Sequence, residues 1–220
     1  MQEMDDIQNE FPSMLGSFVS EGEFHLVMSY RELTQEYRLR DNSIQLCSNE
    51  FCFKTILVMQ WNDFVAFVTS SGIQFIQPVS QFYDFGTPIQ LAVSYQQYLL
   101  VSSFNNVAVF EIETAGSVTK ISEMSFTNEI SAISAIVRNG TLLVSVCEWN
   151  NELIHIMQVI QGTFQEYYSI PSLGVTKSCL LLEQADGNFL LTCQISGEVH
   201  VIQIFPDSWR IKKQVDFDNF

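Results

Sequence analysis

The sequence has few basic residues. Lysine and arginine together number 10 against 25 aspartates and glutamates, which leaves a formal net charge of -15. Proteins that bind nucleic acids gain much of their affinity by neutralising phosphates, and this requires a basic face. The composition therefore argues against direct nucleic-acid binding, and we expect the scattered cations to lie on solvated strand faces. The densest cationic groups are Arg38 with Arg40, and Arg210 with Lys212 and Lys213.

Long apolar runs and a basic leader are also missing. The first six residues read MQEMDD, with acidic residues where a secretory signal peptide has basic ones. No run reaches the roughly 18 apolar residues that a membrane-spanning helix needs. We therefore expect neither a signal peptide nor a membrane association.

Cysteines are few and are not arranged as a metal or redox motif. Their number is odd, no two of them have C-x-x-C spacing, and four lie in or beside apolar runs. This pattern favours buried, reduced thiols and a location in the cytosol or the nucleus. The five are Cys47, Cys52, Cys147, Cys179 and Cys193.

Only three histidines are present, His25, His155 and His200, and none belongs to an H-x-x-x-H pair. His155 and His200 occupy the same position in successive copies of the repeat described below, which a repeated structural role explains. The sequence thus predicts no metal site and no cofactor.

Catalytic motifs are absent as well. There is no G-x-S-x-G elbow, no phosphate-binding glycine loop and no H-E-x-x-H. Glu148 beside Trp149 is the kind of carboxylate that a sugar-binding propeller uses, although a turn flank explains it equally well. We therefore assign no catalytic residue and expect no enzyme; a propeller enzyme such as a glycoside hydrolase is the alternative from another class. No partner-binding residue can be assigned from the sequence.

The sequence does contain a repeat. Apolar runs at residues 99–102, 142–145 and 190–193 each lead through a turn into an alternating strand. These turns are Asn105-Asn106, Asn150-Asn151 and Ser196-Gly197. The steps of roughly 43 and 48 residues match the period of a β-propeller blade. The clearest copy predicts strands at 130–137, 141–146, 153–159 and 164–170, with Asn139-Gly140 and Gln161-Gly162 as tight turns.

Three further copies predict four strands each, and a fifth copy is represented by two strands, at 24–30 and 33–39. We therefore predict an all-β fold, a β-propeller of about four to five four-stranded antiparallel blades, which is an incomplete ring or a fragment of a larger multi-propeller protein. Residues 1–20 are predicted to be an irregular N-terminal tail and residues 21–220 the propeller segment. The Gly-His and Trp-Asp signatures of WD repeats and the double glycines of kelch repeats are absent.

Residues 64–76, 81–85 and 88–94, together with the hairpins at 98–110 and 189–204, resemble the large non-WD multi-propeller proteins. This family is typified by the large subunit of the UV-damaged-DNA-binding complex and includes the cleavage-and-polyadenylation A subunit and the large propeller subunit of splicing factor three-b. The resemblance extends over nearly all of the chain, although residues 82–85 replace a strand that carries tryptophan in the family.

The matching segments correspond to the middle propeller of the three in such proteins. In the ubiquitin-ligase member this propeller docks the cullin scaffold, so the resemblance implies a nuclear adaptor of a cullin-based ubiquitin ligase linked to DNA repair or chromatin. Its partners would be proteins, a cullin and other propeller segments among them. The alternative is a subunit of an mRNA 3′-end processing or splicing complex.

Overall fold

A computed structural model describes residues 12–30, 33–40, 43–51, 54–62, 64–77, 81–113, 117–149, 153–172, 174–184, 189–195, 198–205 and 208–216. These residues form twenty β-strands in five four-stranded antiparallel sheets, and the strands of each sheet neighbour one another in chain order. The predicted all-β, blade-like fold is confirmed. The described residues include no helix that could cross a membrane.

The first two sheets belong to one compact unit of the chain, which extends to Ile89. Blade 1 consists of β1 (Met14–Ser20), β2 (Glu23–Ser29), β3 (Thr34–Arg40) and β4 (Ser43–Phe51). Blade 2 consists of β5 (Thr55–Trp61), β6 (Phe64–Thr69), β7 (Gly72–Gln77) and β8 (Gln81–Asp84).

The other three sheets belong to a second compact unit, which begins at Gln90. Blade 3 consists of β9 (Leu91–Tyr95), β10 (Tyr98–Ser103), β11 (Asn106–Ile112) and β12 (Val118–Ser125). Blade 4 consists of β13 (Ile130–Arg138), β14 (Thr141–Glu148), β15 (Leu153–Ile160) and β16 (Thr163–Pro171). Blade 5 consists of β17 (Thr176–Glu183), β18 (Phe189–Ile195), β19 (Glu198–Phe205) and β20 (Ser208–Asp216).

The predicted boundary of the N-terminal tail at residue 20 is wrong, because residues 14–20 form β1 and pair along their length with β2. The copy of the repeat for which the sequence predicts only two strands, at 24–30 and 33–39, is a complete blade. Its strand β3 pairs with β2 on one side and with β4 on the other. Strands β1 and β4 both mix apolar residues with Gly, Ser or Asn, so neither has a continuous apolar run in the sequence. Residues 1–11 of the predicted tail lie outside the described part of the chain.

Burial follows strand position within each blade. All six residues of β6 are buried, and so are seven of the eight residues of β14. The fourth strands β8, β12 and β16 are mostly exposed or half-buried. Buried second strands and wetter fourth strands are expected for blades that neighbours cover on both faces.

Two predicted tight turns have the expected backbone. Asn139 and Gly140 have φ values of 49° and 76°, and Gln161 and Gly162 have 49° and 76°. Positive φ at both central residues is the requirement of a type I′ hairpin turn. The predicted turn at Asn105-Asn106 is displaced by one residue, because Asn106 already pairs with Ser103. The predicted turns at residues 150–151 and 196–197 lie outside the described residues.

Within each unit, the first strand of one blade packs against the first strand of the next. In the first unit β1 contacts β5, and in the second unit β13 contacts both β9 and β17. The approach of β1 to β5 is close: a Cβ added at Gly16 would lie 2.8 Å from Cγ2 of Val58. Glycine at position 16 therefore allows this packing.

A β-bulge recurs between the third and fourth strands. In blades 3, 4 and 5 the fourth strand carries one extra residue, at Ile121, Tyr167 and Lys212 respectively. Blade 1 has an irregularity at the corresponding strand pair, where the register shifts between Gln35 and Tyr37. Such bulges increase the local twist of a sheet and change which side chains share a face.

Candidate interaction surface

Blade 1 has an exposed face made almost entirely of apolar side chains. Six large residues on it are between 43% and 63% exposed. We call this surface the outer apolar face; its exposed members are Leu15, Val19, Phe24, Leu39, Ile44 and Leu46.

The strand register places these side chains together. Val19 is opposite Phe24, Phe24 is opposite Leu39, and Leu39 is opposite Ile44, so one apolar row crosses all four strands. Directly paired residues point to the same side of a sheet. A second row crosses the blade through Leu26, Tyr37 and Leu46.

The opposite face of blade 1 is buried where it meets blade 2. Phe18 and Val27 pack there against Val65 and Phe67 of blade 2, and all four side chains are at most 3% exposed. Blade 1 therefore has apolar side chains on both faces, and one of these faces packs against blade 2. Exposed apolar patches of this kind mark interaction sites in soluble proteins.

Blade 5 has a smaller surface of the same kind. Leu180 and Leu182 are 52% and 44% exposed, whereas the intervening Leu181 is buried against Leu191 in the core of the second unit. Successive side chains of a strand point to opposite faces, so Leu181 lies on the packed face of β17 and its two neighbours lie on the exposed face.

Glu148, the carboxylate suggested by the sequence, is buried and only 3% exposed. Its Oε2 accepts hydrogen bonds from the backbone N–H of Asn128 at 2.6 Å and from the Asn128 side chain at 3.3 Å. The neighbouring Trp149 is exposed at the end of the hairpin. The carboxylate thus closes the loop before β13, which is the structural role of a turn flank.

The structure confirms that His155 and His200 are equivalent in position, since each lies two residues before the residue at which pairing resumes after the register shift with the fourth strand, Met157 and Ile202. His155 lies between two carboxylates, with Nε2 3.3 Å from Glu148 and Nδ1 3.2 Å from Glu166. Hydrogen bonds from Ser169, and then from His155, lower the pKa of Glu166. His200 contacts Glu198 at 3.0 Å. Each histidine therefore belongs to a polar network within its own blade, blade 4 for His155 and blade 5 for His200.

The four described cysteines are free thiols. Cys147 and Cys193 are buried in the core of the second unit, and Cys179 is half-buried opposite Cys193. A hydrogen bond with Cys179, together with burial, raises the pKa of Cys147, and burial raises that of Cys193. Such thiols are poor nucleophiles because the thiolate is the reactive form. Cys52 lies outside the described residues.

A shallow cleft of about 300 Å³ in the first unit offers little chemistry. It is lined by Ser70, Ser71, Asp84 and the loop that follows. The Asp84 carboxylate accepts the backbone N–H of Gly86 at 2.8 Å. Glycoside hydrolysis needs two facing carboxyl groups, and this cleft supplies one.

Sequence reasoning missed a polar cluster on the buried side of blade 1. Its members are His25, Glu36 and Cys47, one on each of β2, β3 and β4. A recurring spacing was the available signal: the three residues are 11 apart, and His155 and Glu166 are also 11 apart and in contact. In a hairpin, residues separated by about 11 positions in the sequence can face each other, because the chain runs to the end of one strand and returns along the next. Side chains at this spacing can therefore lie side by side on adjacent strands.

Comparison of the sequence with models of known protein families finds no match, and comparison with curated proteins finds none either.

Proposed function

We propose that this chain is a non-enzymatic protein-interaction scaffold, a propeller segment that serves as an adaptor in a nuclear, cullin-based ubiquitin ligase linked to DNA repair or chromatin. The outer apolar face of blade 1 is the observation that carries the interaction role. The choice of a cullin complex rests on the sequence resemblance to the large multi-propeller proteins.

The outer apolar face suits a partner that supplies another four-stranded blade. Its row of Val19, Phe24, Leu39 and Ile44 runs across the whole width of the sheet, as the covered faces of propeller blades do. Each of these four side chains is at least 43% exposed, so a blade laid on the face would remove much apolar area from water. The partner proposed here is a propeller segment with an apolar sheet face.

The charge of the chain favours protein partners over nucleic acid. With 25 acidic and 10 basic residues, it repels phosphate at long range. Several of the cations are also paired with carboxylates: Arg38 with Glu23, Lys120 with Glu123 and Arg138 with Glu183. The proposed scaffold therefore contacts DNA or RNA only through other subunits.

Affinity purification of the tagged full chain from cells of its source organism, followed by mass spectrometry, tests the assignment. We expect a cullin and a propeller-containing protein among the specific partners. Recovery of polyadenylation or splicing subunits without a cullin would replace the ubiquitin-ligase assignment by the RNA-processing one.

A pair of variants tests the surface separately. Val19→Lys combined with Ile44→Lys places two charges in the apolar row and should reduce recovery of the propeller partner by at least about tenfold, which corresponds to 1.4 kcal/mol. Thr119→Lys adds a charge at an exposed position of β12, which does not belong to the outer apolar face, and should leave recovery unchanged. Equal recovery with the double variant and with the control would exclude the outer apolar face as the interface.

A further inference from the structure

Three side chains with metal-binding chemistry meet inside blade 1. One ligand atom each from His25, Glu36 and Cys47 lies within 4.8 Å of the other two. His25 and Glu36 are both 4% exposed, and Cys47 is half-buried. The cluster is on the face opposite the outer apolar face, because His25 pairs with Phe18 and Phe18 belongs to the buried side.

The backbone brings the three residues together through register and a bulge. His25 is opposite Arg38 on β3. Glu36 lies two residues before Arg38 on the same strand, so its side chain is on the same face of the sheet as that of His25. The register between β3 and β4 then shifts at Glu36, between Gln35 and Tyr37. Cys47 directly follows Leu46, the partner of Tyr37, and therefore lies on the same side as Glu36.

Neighbouring groups hold the ligand side chains in place. The His25 ring stacks on Phe18 with a centroid distance of 4.6 Å and an interplanar angle of 9°, and its Nδ1 lies 2.6 Å from Oε1 of Glu36. Arg38 lies beside the Cys47 thiol and pairs through Nε with Glu23 at 2.9 Å. The contacts with Phe18 and Arg38 come from outside the ligand set and orient it, as metal ligands require from their surroundings. The His25–Glu36 contact joins two of the ligands.

The donor set selects the ion. An imidazole nitrogen, a carboxylate oxygen and a thiolate sulfur suit a cation of borderline softness, whereas Mg²⁺ and Ca²⁺ prefer oxygen ligands alone. Zn²⁺ bonds of about 2.0–2.3 Å place the ligand atoms of a tetrahedral site roughly 3.3–3.8 Å apart. In the cluster, His25 Nδ1 and Glu36 Oε1 are 2.6 Å apart and all three ligand atoms lie within 4.8 Å of one another. Side-chain movements of about 1 Å would therefore complete three of the four positions.

We propose that His25, Glu36 and Cys47 bind a divalent transition-metal ion, with Zn²⁺ as the best match. Three protein ligands leave one coordination position for water. The bound ion would link β2, β3 and β4 and so stabilise blade 1 as the chain folds.

The first test is metal uptake by the purified full chain, prepared without metal under reducing conditions. Competition with a chromophoric chelator measures the Zn²⁺ affinity, and Co²⁺ reports thiolate coordination through its charge-transfer absorption. We expect about one ion per chain and a Co²⁺–thiolate band. His25→Gln, Glu36→Gln and Cys47→Ser should each weaken Zn²⁺ binding by more than about tenfold, and Cys47→Ser should abolish the band.

Cys179→Ser is the matched control, because Cys179 is another half-buried thiol and lies in the other unit. This variant should bind Zn²⁺ as the parent chain does. Absence of Zn²⁺ uptake, or wild-type affinity in all three ligand variants, would overturn the proposal.

A measurement on the unmodified chain covers the case in which a variant fails to fold. Zn²⁺ should slow alkylation of Cys47, located by peptide mass spectrometry, and leave the alkylation rate of Cys179 unchanged. Equal alkylation of Cys47 with and without Zn²⁺ would contradict a site at this cluster.

Discussion

At the scale of single residues, buried polar side chains decide the local geometry of the blades. Glu148, His155 and Asn128 form such a group in blade 4, and Ser29, Thr34 and Thr55 form another in blade 1 and at the start of blade 2. Each buried polar atom needs a hydrogen-bond partner, since an unpaired one costs about 1–3 kcal/mol. Substitutions within these groups should therefore affect stability more than surface changes do.

Replacing Glu148 should be strongly destabilising. Glu148→Ala leaves the Asn128 N–H without its acceptor inside the fold, and we expect a loss of about 2–4 kcal/mol in the free energy of unfolding. Glu148→Gln keeps an acceptor oxygen and should lose less. Urea-induced unfolding followed by circular dichroism measures both changes, with Glu113→Gln at an exposed position as the control. Equal effects of Ala and Gln would show that the hydrogen bond to Asn128 is not the cause.

Glu166 should contribute to the loss of stability in acid. Its pKa is lowered in the folded chain, first by the hydrogen bond from Ser169 and then by His155. A carboxyl group with a lowered folded pKa stabilises the fold above its unfolded pKa, and this contribution disappears as the pH falls through the folded pKa. Below the ordinary value of 4.5, the parent chain should therefore lose stability more steeply than Glu166→Gln.

Thermal unfolding as a function of pH checks this expectation. Ser169→Ala removes the main cause of the lowered pKa of Glu166, so its loss of stability with falling pH should be intermediate between those of the parent chain and Glu166→Gln. Thr163→Ala, an uncharged change at the start of the same strand, should follow the parent curve. If the melting temperatures of Glu166→Gln and of the parent chain changed in parallel at all pH values, ionisation of Glu166 would not contribute to stability.

At the scale of elements, blade-to-blade contact depends on how closely the first strands approach. The contact of β1 with β5 has no room for a side chain at position 16. Gly16→Ala should cost about 1–3 kcal/mol of unfolding free energy, because the new methyl group collides with Val58.

A double-mutant cycle isolates that collision. Val58→Gly removes the Cγ2 and Cβ atoms that would lie 2.8 Å and 2.9 Å from the new methyl group. The cost of Gly16→Ala should therefore be much smaller in the Val58→Gly background than in the parent chain. Chemical denaturation of the four proteins measures the coupling. Additive effects of the two substitutions would show that the cost of Gly16→Ala does not come from a collision with Val58.

At the scale of the whole molecule, a strong negative charge coexists with exposed apolar faces on blades 1 and 5. The net charge of -15 keeps chains apart, while faces that contain Leu15, Ile44 and Leu180 offer apolar area to a partner. Such a molecule should associate more readily as salt screens its charge.

Dye binding and sedimentation test this whole-molecule property. The Val19→Lys/Ile44→Lys double variant should bind less of a hydrophobic dye and self-associate less at high salt than the parent chain, with unfolding free energy changed by only about 0.5 kcal/mol. Thr119→Lys should behave as the parent chain in both measurements. Unchanged dye binding by the double variant would show that the outer apolar face is not the main exposed apolar surface.

The sequence predicted the repeat, the four-strand blades and most strand positions, because these depend on local patterns. Asn139-Gly140 specifies a tight turn through positive φ, and the apolar run at 142–146 specifies a buried strand. The strands β1 and β4 escaped prediction because their apolar residues alternate with small or polar ones. Which side of them is buried is determined by pairing with β2 and β3.

The tertiary structure alone decided which distant residues meet. The sequence contains His25, Glu36 and Cys47 at equal spacing, but only the register of β2, β3 and β4 and the bulge at Glu36 place them on one face. It also contains Val19, Phe24, Leu39 and Ile44, yet only the folded blade shows that they form one exposed row. The physical reason is that hydrophobic period and turn chemistry act over a few residues, whereas contacts across strands depend on how the whole sheet is assembled.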